Sequence, residues 1–140
     1  MSLFLKKVFI IIFLVIFSDQ LIKFLVIRYS SENTYINKSA AFGIFPDSNF
    51  LLTMISLIII IFFLMLYKKN SMAIFFIIAA ALSNLLDRFF RGGVVDYINL
   101  RFWPMFNIAD VVICAAIFYL CIDIIRNNNL ISTNKKSNLN

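Results

Sequence analysis

MAIFFIIAAALSNLLDRFFRGGVVDYI, residues 72–98, is the stretch that decides the fold. It opens with an apolar run near the ~20 residues that cross a bilayer as a helix, and the Arg-Gly-Gly at 91–93 is a plausible stop because glycine tolerates the left-handed conformation. Asn84, Asp87 and Arg88 collect at the outer end of this run and share one helix face. A charged side chain at membrane depth costs roughly 3 kcal/mol or more, so this polar group indicates a functional site.

Three other apolar runs of similar length complete the chain, which has 140 residues, 62% of them hydrophobic and only 14% charged. This composition is far from that of a soluble domain. The sequence therefore predicts an all-α integral membrane protein with a single domain over residues 1–126. The predicted spans are residues 4–27, 50–67, 72–90 and 106–125. The polar, low-complexity tail at 127–140 is predicted to be disordered.

The positive charges indicate the topology of the chain. A net charge of +6 would raise nucleic acid as a partner in a soluble protein, but here the charges sit at helix ends, so no nucleic-acid partner is expected. Seven of them fall on one side of the alternating spans and about five on the other. The positive-inside rule thus predicts that both termini are cytoplasmic. The seven are Lys6, Lys7, Lys68, Lys69, Arg126, Lys135 and Lys136, and the others are Arg28, Lys38, Arg88, Arg91 and Arg101.

The residue types exclude several chemistries. The chain has no histidine, which removes Ser-His and Cys-His nucleophile pairs and His-based zinc sites. Its cysteines, Cys114 and Cys121, both lie in an apolar span, and no glycine-rich nucleotide-binding motif is present. No metal and no cofactor are therefore expected. Carboxylates and lysine remain as the groups that can do chemistry.

Two aspartates are predicted to act as a pair. Asp96 lies in the external segment after the third span, and Asp110 lies about one turn inside the fourth. Two neighbouring carboxyl groups share a proton over a wide pH range, so one serves as base and the other as acid. This arrangement suits amide hydrolysis by an activated water molecule, without a covalent intermediate. Neither aspartate has a cation at helical spacing on its own face that would neutralise it.

The remaining polar residues have structural readings beside functional ones. Asp19 and Lys23 are four apart, so they form either a structural ion pair or a substrate contact. Asp87 is read as a structural ion-pair partner. Arg88 either clamps a carboxylate or extends to the membrane surface. Asn107 precedes the fourth helix, where a cap is the competing reading.

Two other functions remain open on these residues. Buried acids in a four-helix membrane protein also describe a small proton-coupled transporter, which would need an essential acid near the midplane of the bilayer. A serine-lysine peptidase would use Lys23 with Ser18 or Ser39, although Asp19 one turn away would keep the amine protonated.

Five motifs taken together resemble the lipoprotein signal peptidase family, which is signal peptidase II. They are DQLIK at 19–23, NKSAAFGIF at 37–45, SNLLDR at 83–88, VVDYI at 94–98 and FNIAD at 106–110. The resemblance implies an aspartic endopeptidase of the bacterial inner membrane with its active site on the periplasmic side. Such an enzyme removes the signal peptide of a prolipoprotein by cutting before the diacylglyceryl-modified cysteine.

The resemblance also implies roles for individual residues. Asp96 and Asp110 match the catalytic aspartates of the family. Its other polar motif residues, which support the pair or orient the substrate, are matched by Asp19, Lys23, Asn37, Asn84, Arg88 and Asn107. A small extended or β cradle on the periplasmic side is implied, with residues 28–49 as the candidate. The implied partners are diacylglyceryl-modified prolipoproteins and membrane lipid, and a monomer is expected. Ser39 and Ser83 depart from the family pattern, which has glycine at both positions.

Overall fold

The computed structural model describes residues 3–38, 49–65 and 72–137. The helices are α1 Leu3–Tyr29, α2 Asn49–Met65, α3 Met72–Arg91 and α4 Ile108–Ser137, with a 3₁₀ turn at Ser31–Asn33 and strands β1 Tyr35–Asn37 and β2 Val94–Asp96. The predicted turn at 67–71 and most of the predicted cradle, residues 39–48 with Ser39 among them, lie outside the described residues.

Three of the described helices are long and apolar enough to cross a membrane. They are Leu3–Tyr29, Met72–Arg91 and the part of α4 over Ile108–Arg126. The fourth, α2, is equally apolar but has 17 described residues, a length of ~26 Å as a helix. Within the described part of the chain, the structure therefore has a mostly helical fold with three candidate spans, where the sequence predicts four.

Helix α3 is the centre of the bundle. It packs against α1, α2 and α4, and it holds most of the buried side chains of the protein. The run Ala79–Ala80–Ala81 is almost completely buried, because its small side chains let neighbouring helices approach closely in a membrane protein. The side chains that α1 and α4 turn away from α3 are largely exposed apolar groups, as expected of surfaces that face lipid.

A two-stranded sheet joins the outer ends of α1 and α3. Strand β1 pairs antiparallel with β2, with Tyr35 opposite Asp96 and Asn37 opposite Val94. The extended structure predicted beyond the first span is thus present over three residues. The sheet brings Asn37, from the segment that follows α1, next to the segment that follows α3. It therefore places two parts of the predicted site side by side.

Helix α4 differs from the prediction at both ends. Phe106 pairs with Ile98 in an isolated β-bridge and Asn107 caps the helix, so α4 begins at Ile108 and not at residue 106. At the other end it remains helical to Ser137, where a disordered tail is predicted from residue 127. A helix that is already formed avoids the nucleation cost and gains one hydrogen bond for each residue that it adds, which allows it to continue through a polar sequence.

Gly93 controls how closely the two strands approach. A Cβ atom at this position would lie 2.8 Å from Ile36 Cγ2, 2.9 Å from the Asn37 carbonyl oxygen and 3.0 Å from Lys38 Cγ. We expect Gly93→Ala to push β1 away from β2 and to speed hydrogen exchange of the β1 amides by about tenfold or more. Gly92→Asn is the control, because Gly92 has a φ of 72° and open space around it, and asparagine tolerates this conformation. Unchanged exchange in Gly93→Ala would contradict the tight fit.

Candidate active site

A fully buried lysine lies at the centre of the polar cluster. Lys23 Nζ is 2.7 Å from Asp19 Oδ2, 2.6 Å from Asp87 Oδ2 and 2.9 Å from Asn84 Oδ1. An ammonium group has three N–H donors, and each of them finds an acceptor here. Asp19 and Asp87 are also fully buried. The sequence-predicted pair of Asp19 and Lys23 is therefore one half of a larger ion cluster that joins α1 to α3.

Three side chains complete this ion cluster. Arg91 forms an ion pair with the Asp87 carboxylate and donates to the side-chain amide oxygen Oε1 of Gln20 at 2.7 Å. Gln20 Nε2 donates to Asp87 Oδ1 at 2.9 Å, and Ser83 Oγ donates to Asp19 Oδ2 at 2.7 Å. The two carboxylates and two cations balance in charge. This balance is what permits ionised groups to stay in a buried site.

Lys23 also decides how Asn84 is oriented. Because an ammonium group can only donate, the Asn84 atom that faces Lys23 is the amide oxygen. The amide nitrogen must then face the other way, where it donates to Asp110 Oδ1 at 2.9 Å. Asn84 therefore connects the ion cluster to Asp110 by one hydrogen bond on each side of its amide.

Asn107 and Asp110 form a capping box at the start of α4. The Asn107 side-chain oxygen accepts the Asp110 backbone N–H at 3.0 Å, and Asp110 Oδ2 accepts the Asn107 backbone N–H at 3.1 Å. The two backbone N–H groups between them, of Ile108 and Ala109, donate to Tyr97 Oη and to Asp19 Oδ1. All four amides that a helix start leaves unpaired are thus satisfied by side chains. The capping reading of Asn107 is confirmed.

Asn107 does more than cap the helix. Since its oxygen faces a backbone N–H, its amide nitrogen faces the opposite side, where it donates to Asp96 Oδ1 at 2.9 Å and to Asn84 Oδ1 at 3.1 Å. One residue therefore bonds both members of the predicted aspartate pair. The structure brings Asp96 and Asp110 to the same site, one from β2 and the other from α4.

Asp96 lies outside the membrane-spanning helices and is buried. Its second oxygen, Oδ2, accepts a hydrogen bond of 2.9 Å from Asn37 Nδ2 on the paired strand. The pKa of Asp96 is raised to about 6, mainly by burial and in part by the charge of Asp110, while the hydrogen bonds from Asn37 and Asn107 and the charge of Lys23 oppose the shift. A carboxyl group with this pKa keeps its proton over a wider pH range than an exposed aspartate, as the proton-sharing hypothesis requires.

Arg88 occupies a different position from the one expected for a carboxylate clamp. Its guanidinium donates to the Asn84 carbonyl at 3.4 Å, and no carboxylate in the described ranges 3–38, 49–65 and 72–137 lies within ion-pair distance of it. Arg91 makes the ion pair with Asp87 instead. The Nε atom of Arg88 is buried and has no hydrogen-bond partner among these residues. The hydrogen-bonding capacity of Arg88 is therefore only partly used by the described residues.

An open groove of about 540 Å³ leads to the site between α2, α3 and α4. Its polar end is formed by Asn84, Arg88 and Asp110, and its walls are apolar. The apolar walls and the rim are contributed by Ser56, Ile58, Ile59, Phe62, Phe63, Ile77, Ala81, Ile113 and Ile117. A groove of this kind suits an extended or helical apolar chain with one polar group at its end.

Sequence reasoning missed four residues that the structure places in or beside the site. Gln20, Arg91 and Tyr97 were assigned no site role, and Ser83 was noted only as a departure from a pattern. The signal for Gln20 was its position in an apolar span, where a polar side chain is costly without partners. Arg91 offered the signal of an i, i+4 spacing from Asp87.

The geometry also tests the serine-lysine reading. Lys23 Nζ directs its three donors to Asp19, Asp87 and Asn84, so none of them is directed at a serine. Ser18 Oγ donates to the Val15 carbonyl at 3.1 Å. Ser39 lies outside the described residues. The hydrogen bond of Ser18 thus goes to a backbone carbonyl and not to Lys23.

Comparison with known proteins decides the family. The family model described as signal peptidase (SPase) II matches residues 11–126. The chain belongs to the signal peptidase II family. It is 40% identical over 134 residues to the lipoprotein signal peptidase of Halothermothrix orenii, covering 81% of this chain and 92% of that protein. It is 38% identical over 95 residues to that of Syntrophomonas wolfei, covering 62% of this chain and 64% of that protein.

The fold is similar to that of a solved bacterial membrane enzyme. The TM-score is 0.76 at 24% identity, and the match covers 88% of this chain and 90% of the other. Membership of the signal peptidase II family makes the chain a protease of the membrane. The matched residues 11–126 include the whole ion cluster, Asn107 and both aspartates.

The ion cluster predicts a large cost for the loss of Lys23. Lys23→Met would leave Asp19 and Asp87 buried beside a single cation, and breaking a buried pair costs about 3–5 kcal/mol. We expect a clear fall in the thermal unfolding temperature of the protein in detergent. Lys6→Met on the same helix is the matched control, because Lys6 is exposed. Equal stability of the two variants would show that the cluster is not what holds α1 to α3.

Proposed function

We propose that this protein is an intramembrane aspartic endopeptidase that removes signal peptides from prolipoproteins by cutting before the diacylglyceryl-modified cysteine. One observation carries the proposal: Asn107 hydrogen-bonds both Asp96 and Asp110, so the two carboxyl groups belong to one hydrogen-bonded cluster, and Asp110 also lines the polar end of an apolar groove. The lipoprotein signal peptidases to which the chain is similar support the same substrate class.

The two aspartates take different roles in this proposal. Asp110 is the ionised member, because it lies in the first turn of α4, where the helix dipole and the Asn107 backbone N–H favour negative charge. Asp96 is the protonated member. It lies on the buried strand β2, and its pKa is raised to about 6, mainly by burial.

Hydrolysis then follows as a balanced sequence. Asp110 takes a proton from water while the water oxygen attacks the scissile carbonyl carbon, and Asp96 gives its proton to the carbonyl oxygen. In the resulting tetrahedral species, Asp110 gives its proton to the amide nitrogen, the C–N bond breaks, and Asp96 recovers a proton from the hydroxyl group. The immediate products are a carboxylic acid and an amine, and the pair returns to its starting state with one shared proton.

Arg88 and the groove fit the substrate. The groove would hold the apolar end of the signal peptide, while Arg88, whose Nε atom has no partner among the described residues, donates to a backbone carbonyl near the cleavage site. Asn84 and Asn107 keep both carboxyl groups in place. Asp19 and Lys23 act at a distance by fixing Asn84 and the start of α4.

The proposed placement has four transmembrane helices, with α2 as the short one, in the bacterial inner membrane. Both termini are cytoplasmic and the site faces the periplasm, as the charge distribution predicts. The acyl chains of a lipid-modified cysteine stay in the bilayer, so its scissile bond must lie near the headgroups. The start of α4 and the sheet beyond α3 are at such a level. The proposed enzyme acts as a monomer on membrane-embedded substrates.

The aspartate roles are tested by substitution. We expect Asp96→Asn and Asp110→Asn each to lower kcat by about 10²–10⁴-fold or more, because each removes a proton-transfer group. The assay is cleavage of a lipidated prolipoprotein peptide by the reconstituted protein. Asp123→Asn, on the far part of α4, is the control and keeps full activity.

A further comparison separates catalysis from stability. Asp87→Asn weakens the ion cluster, so it lowers the unfolding temperature but keeps measurable turnover per folded molecule. Asp96→Asn and Asp110→Asn retain the fold and substrate binding. Full activity in either of these two would remove that residue from the pair.

The pKa of Asp96 predicts the pH dependence of cleavage. Because Asp96 must be protonated in the free enzyme, kcat/KM should fall tenfold per pH unit above about 6. Asn37→Ala removes a hydrogen bond that favours the ionised form, which raises the pKa of Asp96 and moves this limb to higher pH. Thr34→Val is the control, since the Thr34 hydroxyl bonds the Ser31 carbonyl in the neighbouring 3₁₀ turn and not Asp96. A profile that is flat from about pH 4 to 9 would refute proton sharing.

A further inference from the structure

A small hairpin projects from the outer end of the bundle at residues 98–106, here called the outer hairpin. Ile98 and Phe106 form an antiparallel bridge at its base. The Ile98 N–H donates to the Phe106 carbonyl at 2.9 Å, and the Phe106 N–H donates to the Ile98 carbonyl at 3.2 Å. The hairpin is thus closed at its base, just beyond β2 and just before the cap of α4.

The tip of the outer hairpin has a defined conformation. Asn99 Oδ1 accepts the Arg101 backbone N–H at 2.8 Å, and the Phe102 N–H donates to the Leu100 carbonyl at 2.8 Å. Arg101 has a φ of 67°, which is uncommon for a residue with a side chain. The local hydrogen bonds hold this unusual turn, so the side chains of the tip are presented in a fixed arrangement.

These side chains are apolar and exposed. Phe102 is 83% exposed, Trp103 57% and Leu100 45%, and Arg101 is exposed between them. Large apolar groups at the tip of a hairpin would be unfavourable in water. Aromatic rings with an adjacent arginine are typical of side chains that lie at the boundary between hydrocarbon and headgroups.

The position of the hairpin agrees with such a boundary. It connects α3, which ends at Arg91, to α4, which begins at Ile108, and both helices are long enough to cross a membrane. Their ends must reach the membrane surface on the same side. A closed hairpin between them has the lipid headgroups as its immediate neighbours.

We propose that the outer hairpin is a membrane anchor that buries Leu100, Phe102 and Trp103 among the lipid headgroups, with Arg101 bound to lipid phosphate. The anchor is separate from the aspartate pair and does not depend on the proposed function. Its two stems run directly into Asp96 and Asn107, so it holds this part of the chain at the membrane surface.

The only tryptophan of the chain, Trp103, makes the anchor measurable. The full-length protein is reconstituted into vesicles that contain lipids brominated either near the headgroup or near the chain ends. We expect the shallow label to quench Trp103 fluorescence about threefold more than the deep label, with weak quenching by aqueous acrylamide. Strong acrylamide quenching without lipid quenching would place the tip in water, and stronger quenching by the deep label would place it in hydrocarbon. Either result overturns the proposal.

Matched variants test each part of the tip. Phe102→Leu should keep the lipid quenching, whereas Phe102→Glu should lose most of it because a charge opposes burial. Arg101→Asn removes the positive charge while keeping a residue that tolerates φ near 67°. In the wild type, a brominated anionic lipid should quench about twofold more than its zwitterionic equivalent, and Arg101→Asn should lose this preference. Arg28→Asn is the control and should keep the stronger quenching by the anionic lipid. If Arg28→Asn and Arg101→Asn show the same preference for the anionic lipid, a specific phosphate contact of Arg101 is refuted.

Discussion

The buried ammonium group of Lys23 is the interaction on which the rest of the site depends. It uses all three of its donors on Asp19, Asp87 and Asn84, and so links α1 to two successive turns of α3. A charge at this depth is tolerated because the carboxylates of Asp19 and Asp87 balance the two cations, Lys23 and Arg91. The same ammonium group sets which way the Asn84 side-chain amide is turned: its oxygen faces Lys23 and its nitrogen faces Asp110. The buried charge of Lys23 thus helps to position Asp110 through Asn84.

The start of α4 and the candidate active site are built from the same side chains. Asp19, Tyr97, Asn107 and Asp110 satisfy its four unpaired amides, and two of these residues also bond or belong to the aspartate pair. The helix start therefore depends on α1, which supplies Asp19, and on the segment after β2, which supplies Tyr97. Asn107 and Asp110 cap α4, and Asn107 also bonds Asp96. The hydrogen bonds that cap the helix therefore also hold the candidate site in place.

This chain stabilises the cluster with residues of its own. Ser83, at a position where the family pattern has glycine, donates to Asp19 and accepts a bond from Gln20. Gln20 in turn connects Ser83, Asp87 and Arg91. Since Arg91 neutralises Asp87, Arg88 is not needed for that role and its guanidinium can face the groove. Two arginines three residues apart thus have different surroundings: Arg91 pairs with Asp87, and Arg88 lines the groove.

The sequence by itself determined the helices, the family and the candidate aspartates, because these depend on local information: the length of apolar runs, spacings along one helix and short motifs. It also indicated the ion pair of Asp19 and Lys23, which are one turn apart. Only the tertiary structure decided that Asp19 binds an amide 90 residues away, that Arg91 and not Arg88 pairs with Asp87, and that α4 starts at Ile108. Such contacts depend on how each helix is rotated about its axis against its neighbours. Packing fixes that rotation, and the periodicity of a uniformly apolar helix does not encode it.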